Sequence, residues 1–169
     1  MSGDLLDILE PPAQAKMTER QVLDALCTRY DTRSGNGPRF AFGEHVKSGA
    51  GFDSPRIADF MAIDLWPSSG NAIHGFEVKV SRGDWLRELA DPTKAEAFRP
   101  YVDRWWLVVA DAAIVRPGEL PNGWGLMALG RALYVVRQAP RLAPAPMPRE
   151  MQATFARAIA KTAARRAAR

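Results

Sequence analysis

The stretch from Arg56 to Ser81 most constrains how this chain can fold, because two short runs of alternating residues are separated there by a polar turn. Side chains in a β-strand point alternately to its two faces. In the second run, Glu77 and Lys79 therefore share one face, and apolar residues take the other: Phe76, Val78 and Val80. In the first run, Asp59 lies on the same face as aliphatic residues. We expect two neighbouring antiparallel strands that bring two carboxylates and a lysine together.

These three side chains predict a specific chemistry. A carboxylate among aliphatic neighbours is costly to bury unless it is paired or binds a metal. Asp59 and Glu77 would supply the oxygen ligands that hard divalent cations prefer, with Lys79 beside them. In the alternative interpretation, Glu77 and Lys79 form only an ion pair on one face of an exposed strand.

The surrounding sequence predicts an α/β (α+β) domain with a mixed sheet. Thr18 is expected to cap a helix over Glu19–Tyr30, and the alternation in Arg39–Ser48 predicts the first strand. After the central hairpin we expect a short helix that begins at Ser81 and a second helix that begins at Asp91, which Pro100 should kink or end. Trp105–Ala110 is a continuous apolar run, typical of a strand buried on both faces. A strand, a helix and another strand imply a crossover, and hence a partly parallel sheet.

The C-terminal third is expected to add a hairpin and a helix. Trp124–Leu129 and Ala132–Arg137 read as two short strands, and the helix covers Glu150–Arg169. The domain boundaries predicted from this order are an N-terminal arm (1–17), a core domain (18–139), a proline-rich linker (140–148) and a basic, alanine-rich helix (149–169).

Charge and cysteine content narrow the class of protein. The net charge is +4, but six basic residues and one acid from Arg149 onward give +5 and leave −1 for the rest. A near-neutral body with a basic tail fits a polyanion such as nucleic acid, although a simply solvated helix is an equal alternative. The single Cys27 suits a reducing compartment. We found no secretory signal and no apolar run of membrane-spanning length, so a soluble cytoplasmic protein is expected.

The order of elements and the motif residues together resemble a known family. Asp59, followed eighteen positions later by Glu77-Val78-Lys79, resembles the bipartite signature of the PD-(D/E)XK nuclease superfamily. The segments HGFEVKVSRGDWLRELADPTKAEAF, YVDRWWLVVAD and LPNGWGL resemble small RecB-like nucleases of actinobacteria and their phages. A weaker likeness is to DNA-repair proteins of the MmcB type. The resemblance covers Thr18–Arg137 and implies a restriction-endonuclease-like core of helix, three strands, helix and strand.

The resemblance implies a metal-dependent DNA nuclease. Asp59 and Glu77 would be Mg²⁺ or Mn²⁺ ligands together with the Val78 carbonyl, and Lys79 would act on the attacking water and the phosphate. Two departures are visible. The superfamily's proline directly precedes the first aspartate, whereas Ala58 stands there in this chain. The RecB-like branch often carries Gln and Tyr four apart on the next helix, where this chain offers Lys94 and Tyr101 on one expected stripe.

Three other polar residues have two interpretations each. Glu19 matches an acidic residue that many members place near the metal, but it also lies in a first helical turn, where a carboxylate favours the helix dipole. Glu44 would either approach the site or be exposed at the edge of the sheet. Ser81 would bind a phosphate or, as we favour, cap the next helix. His45 and His74 have no partners at metal-ligand spacing and are expected to be structural.

Several basic and polar residues are expected to contact phosphates without reading base sequence. They are Ser81, Arg82, Lys94, Arg99, Tyr101, Arg157, Lys161 and Arg165. DNA is thus the expected partner, in repair, recombination or phage DNA processing. Many relatives act as dimers, so a homodimer is an open alternative. A nuclease-fold module that binds DNA or a protein without cleaving is the main alternative, and a structural phage or assembly protein is a third.

Overall fold

The structure, a computed structural model, describes residues 16–49 and 55–169. Its helices and strands are α1 (Glu19–Tyr30), β1 (Arg33–Ser34), β2 (Gly37–Pro38), β3 (Phe40–Lys47), β4 (Ile57–Asp64), β5 (Ile73–Lys79), α2 (Arg82–Ala90), α3 (Thr93–Glu96), β6 (Arg104–Val109), β7 (Trp124–Leu129), β8 (Leu133–Arg137) and α4 (Arg149–Ala167). The predicted N-terminal arm, apart from its last two residues, lies outside the described residues, as does most of the turn before β4.

A six-stranded mixed sheet, in the order β3-β4-β5-β6-β7-β8, forms the centre of the fold. Strands β3, β4 and β5 pair antiparallel, β5, β6 and β7 pair parallel, and β8 returns antiparallel to β7. The predicted α/β class, the central hairpin and the parallel crossover are therefore confirmed. A separate short hairpin, β1 with β2, precedes β3.

Helix α1 covers one face of the sheet. The Thr18 hydroxyl accepts a hydrogen bond from the Gln21 N–H, and the Gln21 side-chain oxygen accepts one from the Thr18 N–H, so the predicted cap is a full capping box. At the other end, the Tyr30 ring packs edge-on against Phe76 and at a tilt against Phe60. The helix residues buried against the sheet are Val22, Leu23, Leu26, Cys27 and Tyr30. This packing fixes the position of Glu19 at the helix start.

The opposite face is covered by aromatic residues from the crossover. Trp85 of α2 packs edge-on against Trp124, and Phe98 stacks on Trp105. The helix predicted from Asp91 is shorter than expected: α3 ends after one turn at Glu96, and a separate 3-10 turn covers Arg99–Tyr101. Pro100 explains the break, because proline lacks the N–H that a continuing helix needs.

Helix α4 lies along β3, the strand at the edge of the sheet. The Thr154 hydroxyl donates to the Lys47 carbonyl at 2.5 Å, and the Glu44 N–H donates to the Thr162 hydroxyl at 3.0 Å. Covering an edge strand in this way protects backbone groups that would otherwise pair with another chain. The preceding proline-rich segment has no helix or strand, as expected, and the docked helix is not a free tail.

The contact between α4 and β3 predicts a large effect for Gly43→Ala. A Cβ at Gly43 would lie 2.7 Å from the backbone carbon of Ala158 and the backbone nitrogen of Ile159, so the whole helix would have to shift. We expect a loss of about 1–3 kcal/mol in the free energy of unfolding, measured in urea. Gly35→Ala is the control, because a Cβ there meets nothing within 4 Å. Equal stability of the two variants would contradict this close packing.

Candidate cation-binding site

The site forms where β4 and β5 stop pairing with each other. Their backbone ladder ends at Phe60 opposite Phe76. Beyond this pair, the Asp59 carboxylate replaces a backbone acceptor and receives a hydrogen bond from the Val78 N–H at 2.8 Å. Asp59 is 8% exposed and Glu77 is 0% exposed, so both carboxylates are buried. The structure thus brings together the two acidic residues of the motif, with Asp59 held by the backbone of β5.

Two lysines meet the same oxygen of Glu77. Lys79 Nζ lies 2.6 Å from Glu77 Oε1 and 3.0 Å from Glu88 Oε2 on α2. Lys94 Nζ, from α3, lies 2.5 Å from Glu77 Oε1 and 3.3 Å from Asp59 Oδ1. Glu77 and Lys79 do form an ion pair, but the alternative that places them on an exposed strand is wrong, since Glu77 is fully buried.

Burial and charge act in opposite directions on these groups. Burial, together with the nearby Asp59 carboxylate, raises the pKa of Glu77 to about 8, although both lysines oppose the shift. Burial alone would lower the pKa of Lys79, but Glu77 and Glu88 outweigh it and hold that pKa above its ordinary value. Asp59 and Glu77 likewise raise the pKa of Lys94. The cluster therefore contains more negative charge than burial tolerates without cations.

Two carboxylate oxygens in the cluster have no hydrogen-bond partner among the described residues. They are Glu77 Oε2 and Glu88 Oε1, and both are buried. An unsatisfied buried acceptor is costly, and in a functional site it is often a position for an ion or water. A hard divalent cation fits this donor set, because carboxylate oxygens are the ligands it prefers.

Asp59 also belongs to a second group of ligand atoms. One ligand atom each of Glu19, His45 and Asp59 lies within 4.8 Å of the others. His45 lies opposite Asp59 on the neighbouring strand and adopts a left-handed backbone with φ of +54°, where the ladder between β3 and β4 skips one pair. A non-glycine residue in this conformation is uncommon and often marks a functional position. Glu19 therefore reaches Asp59, and His45 is not an isolated structural histidine.

A cleft of about 360 Å³ opens over this cluster. Glu19, Lys79, Glu88 and Lys94 line it, together with Val78. Two exposed ion pairs stand at its sides, Arg56 with Asp91 and Arg87 with Asp84. The lysine partners of the buried carboxylates thus line a cleft that a ligand can enter from the surface. Binding of a cation by the Val78 carbonyl stays a prediction.

Glu44 is not a member of this site, and both interpretations of it from the sequence are wrong. Its two oxygens accept paired hydrogen bonds from Arg20 at 2.7 Å and from Arg165 at 2.5 Å, and Cys27 Sγ donates at 3.1 Å. Glu44 is buried by these contacts between α1, β3 and α4. It connects the C-terminal helix to the body instead of reaching a cation or the solvent.

Some predicted phosphate contacts already have protein partners. Arg82 forms a two-pronged ion pair with Glu119, Arg99 pairs with Glu96, and Arg165 pairs with Glu44. Ser81 caps α2 by accepting from the Asp84 N–H, the interpretation we favoured. The predicted shared stripe of Lys94 and Tyr101 is wrong, because α3 and the following 3-10 turn are separate. These partners count against a free phosphate-binding function for the three arginines.

The remaining basic residues face a groove beside the cluster. Arg157 and Lys161 lie one turn apart on α4, with Lys47 across from them on β3. They line a groove of about 410 Å³ that also contains His45, and His45 connects the groove to Asp59. None of these three basic side chains has an ion pair with another described residue. This surface, which we call the α4 groove, is electropositive and adjoins the acidic cleft.

Two residues of the site were missed by sequence reasoning. Glu88 lies three residues after the buried Trp85, on the same helical face, whereas the apolar Leu86 is exposed. A glutamate at that spacing from a buried tryptophan was a usable signal. His45 gave no comparable signal, because strand alternation cannot reveal a left-handed residue.

Comparison with known proteins gives a structural relative without a known function. No protein-family model matches the chain, and no curated protein matches it. A protein of unknown function from Silicibacter pomeroyi is similar in structure, with a TM-score of 0.51 and 26% identity over 76% of this chain and 77% of that one. The mixed α/β fold is therefore shared with that protein, and the chemistry must be argued from the side chains described above.

Proposed function

We propose that this protein is a divalent-cation-dependent nuclease that hydrolyses phosphodiester bonds in DNA. The observation that carries the proposal is the buried pair Asp59 and Glu77, which shares the ammonium of Lys94, a residue that lines the open cleft. In cation-assisted phosphodiester hydrolysis, carboxylates can hold the cation, and a lysine beside them can stabilise the charge that develops on the phosphate. The resemblance of Asp59, Glu77, Val78 and Lys79 to the PD-(D/E)XK signature supports the same conclusion.

The residues present fit a hard cation such as Mg²⁺ or Mn²⁺. Asp59 and Glu77 would hold it, and Glu19 and His45 lie close enough to Asp59 to take part. The unpartnered Glu77 Oε2 is an available donor atom. When bound, such a cation acidifies a bound water and neutralises charge on a phosphate. His45 adds nitrogen, which Mn²⁺ accepts more readily than Mg²⁺ does.

The other polar residues would orient the reacting groups. Lys79 would hold the attacking water and stabilise the negative charge that develops on the phosphate. Glu88 positions Lys79 from α2, at 3.0 Å, and so keeps the ammonium directed into the cleft. The Val78 N–H fixes one oxygen of Asp59 and leaves the other directed toward Lys94.

The α4 groove is the proposed path for the DNA backbone. We expect Arg157→Gln with Lys161→Gln to weaken duplex binding about tenfold in moderate salt and to reduce the slope of log affinity against log salt by about 2, one for each lost phosphate contact. Fluorescence anisotropy with Ca²⁺ in place of Mg²⁺ would measure this. The control, Arg131→Gln with Arg137→Gln, removes the same charge from exposed positions around β8. Equal losses in both double variants would contradict a specific path.

Cleavage of labelled duplex, single-stranded and branched DNA with Mg²⁺ or Mn²⁺ tests the function itself. Cleavage that requires the cation and stops with EDTA supports the nuclease. Folded protein that binds DNA but cleaves none of these substrates with either cation would instead support a binding module of nuclease fold. A homodimer, a cytoplasmic location and a place in repair or phage DNA processing stay expectations from the sequence. No helix in the part of the chain that the structure describes is long and apolar enough to cross a membrane.

A further inference from the structure

Lys94 makes contacts that the proposed reaction does not require. The motif lysine, Lys79, already has two carboxylate partners, Glu77 and Glu88. Lys94 adds a second ammonium to the same Glu77 oxygen and bridges from there to Asp59. It reaches both carboxylates from α3, an element separate from the two strands that carry them.

The position of Lys94 conflicts with cation binding. The oxygens it contacts, Glu77 Oε1 and Asp59 Oδ1, belong to the two side chains that would hold a divalent cation. An ammonium at 2.5 Å from Glu77 Oε1 and a cation on the same pair of carboxylates would repel each other in a poorly solvated site. Lys94 must therefore leave the carboxylates, at least in part, when a cation bridges them.

The surroundings of Lys94 leave room for its side chain to turn away from the carboxylates. Its side chain is 24% exposed and lines the cleft, whereas Glu77 is fully buried. It lies on a single helical turn that has no side-chain cap at its start. A phosphate in the cleft would accept the ammonium as it turns outward, because charge-assisted hydrogen bonds to phosphate are strong.

We propose that Lys94 is an internal counter-ion of the Asp59–Glu77 pair, and that a bound phosphodiester draws it away and so strengthens divalent-cation binding. This inference rests on the proposed nuclease function and adds a regulation of the same site. By linkage, the cation must strengthen phosphodiester binding by the same factor. The protein would thus bind its cation weakly until DNA is present.

Mn²⁺ binding to the full chain tests this, by isothermal titration calorimetry with and without a short phosphorothioate duplex that resists cleavage. Lys94→Met should bind Mn²⁺ about tenfold more tightly than wild type without DNA, and the duplex should raise its affinity less than it raises that of wild type. Wild type should gain about tenfold from the duplex. Lys94→Arg keeps the charge and should retain the weak affinity. Arg137→Met, a change at the far edge of the sheet, should match wild type.

Unchanged or weaker Mn²⁺ affinity in folded Lys94→Met without DNA would overturn the inference. If wild type nevertheless cleaves DNA with Mn²⁺, only the counter-ion function of Lys94 fails and the nuclease stands. If neither wild type nor Lys94→Met binds Mn²⁺ at millimolar concentration and no DNA is cleaved, both proposals fail. The two failures are therefore distinguishable.

Discussion

Glu77→Gln is expected to lower the rate of cation-dependent DNA cleavage about a thousandfold, the scale on which loss of one preorganised electrostatic group slows an enzyme. Glu77 is fully buried and contacts both lysines of the site, and one of its oxygens has no protein partner. Glutamine has nearly the same shape and keeps an acceptor for the lysines, but it lacks the negative charge that holds a cation. The Mn²⁺ affinity should therefore fall together with the rate.

Lys79→Met separates binding of the cation from the later chemistry. It should cut the cleavage rate by a factor of about 100 or more while Mn²⁺ binds at least as tightly as in wild type, since a positive charge has been removed. Asp24→Asn, a change to a half-exposed carboxylate on α1, is the matched control and should cleave normally.

Near-normal cleavage by folded Glu77→Gln, followed on labelled duplex with Mg²⁺, would remove Glu77 from the mechanism.

The sequence predicted the part of the site that depends on strand alternation. Asp59, Glu77 and Lys79 lie on two neighbouring strands. Because side chains alternate between the two faces of a strand, their spacing identifies which of them share a face. The burial of Asp59 could also be predicted, because its neighbours on the strand are aliphatic. Resemblance and periodicity agreed here, so the antiparallel pairing of these two strands was predictable before any coordinates.

The rest of the site depends on contacts between distant segments. Lys94 was expected to share a helical stripe with Tyr101 and to contact DNA. Because the helix breaks before Pro100, Lys94 lies on a single turn, and its ammonium contacts the acidic pair instead. The prediction for Glu44 used only the alternation of side chains along its strand. That alternation cannot show that arginines from two helices, Arg20 and Arg165, both pair with Glu44. Charge partners from separate helices become visible only once the packing of those helices is known.

Glu44→Gln is expected to lower the free energy of unfolding by about 2 kcal/mol at pH 7, since removing one partner of a buried ion pair leaves the others uncompensated. The value is below the usual range for fully buried pairs because Arg20 and Arg165 are each 36% exposed and can reach water. A change of this size lowers the melting temperature by roughly 4–8 °C in a chain of this length. Urea unfolding and a thermal melt would both measure it.

The same residue should make stability depend on acid. Burial opposes ionisation of Glu44, but Arg20 and Arg165 outweigh it and hold the pKa of its carboxyl well below the ordinary value of 4.5. The folded state therefore binds this proton less readily than the unfolded chain does. The stability that Glu44 contributes is complete above about pH 4.5 and is lost as the pH falls toward the depressed pKa.

Wild type and Glu44→Gln should therefore differ most near neutral pH and converge as the pH is lowered below 4. Asp24→Asn is again the control. It removes an ion pair with the same Arg20, at 2.9 Å, but Asp24 is 41% exposed, so we expect a change within about 0.5 kcal/mol and no added acid sensitivity. A stability difference between wild type and Glu44→Gln that stays constant from pH 7 to pH 3 would contradict the ion-pair account. If the difference narrows as expected, the acid sensitivity reports directly on the docking of α4, because Arg165 joins Glu44 to that helix.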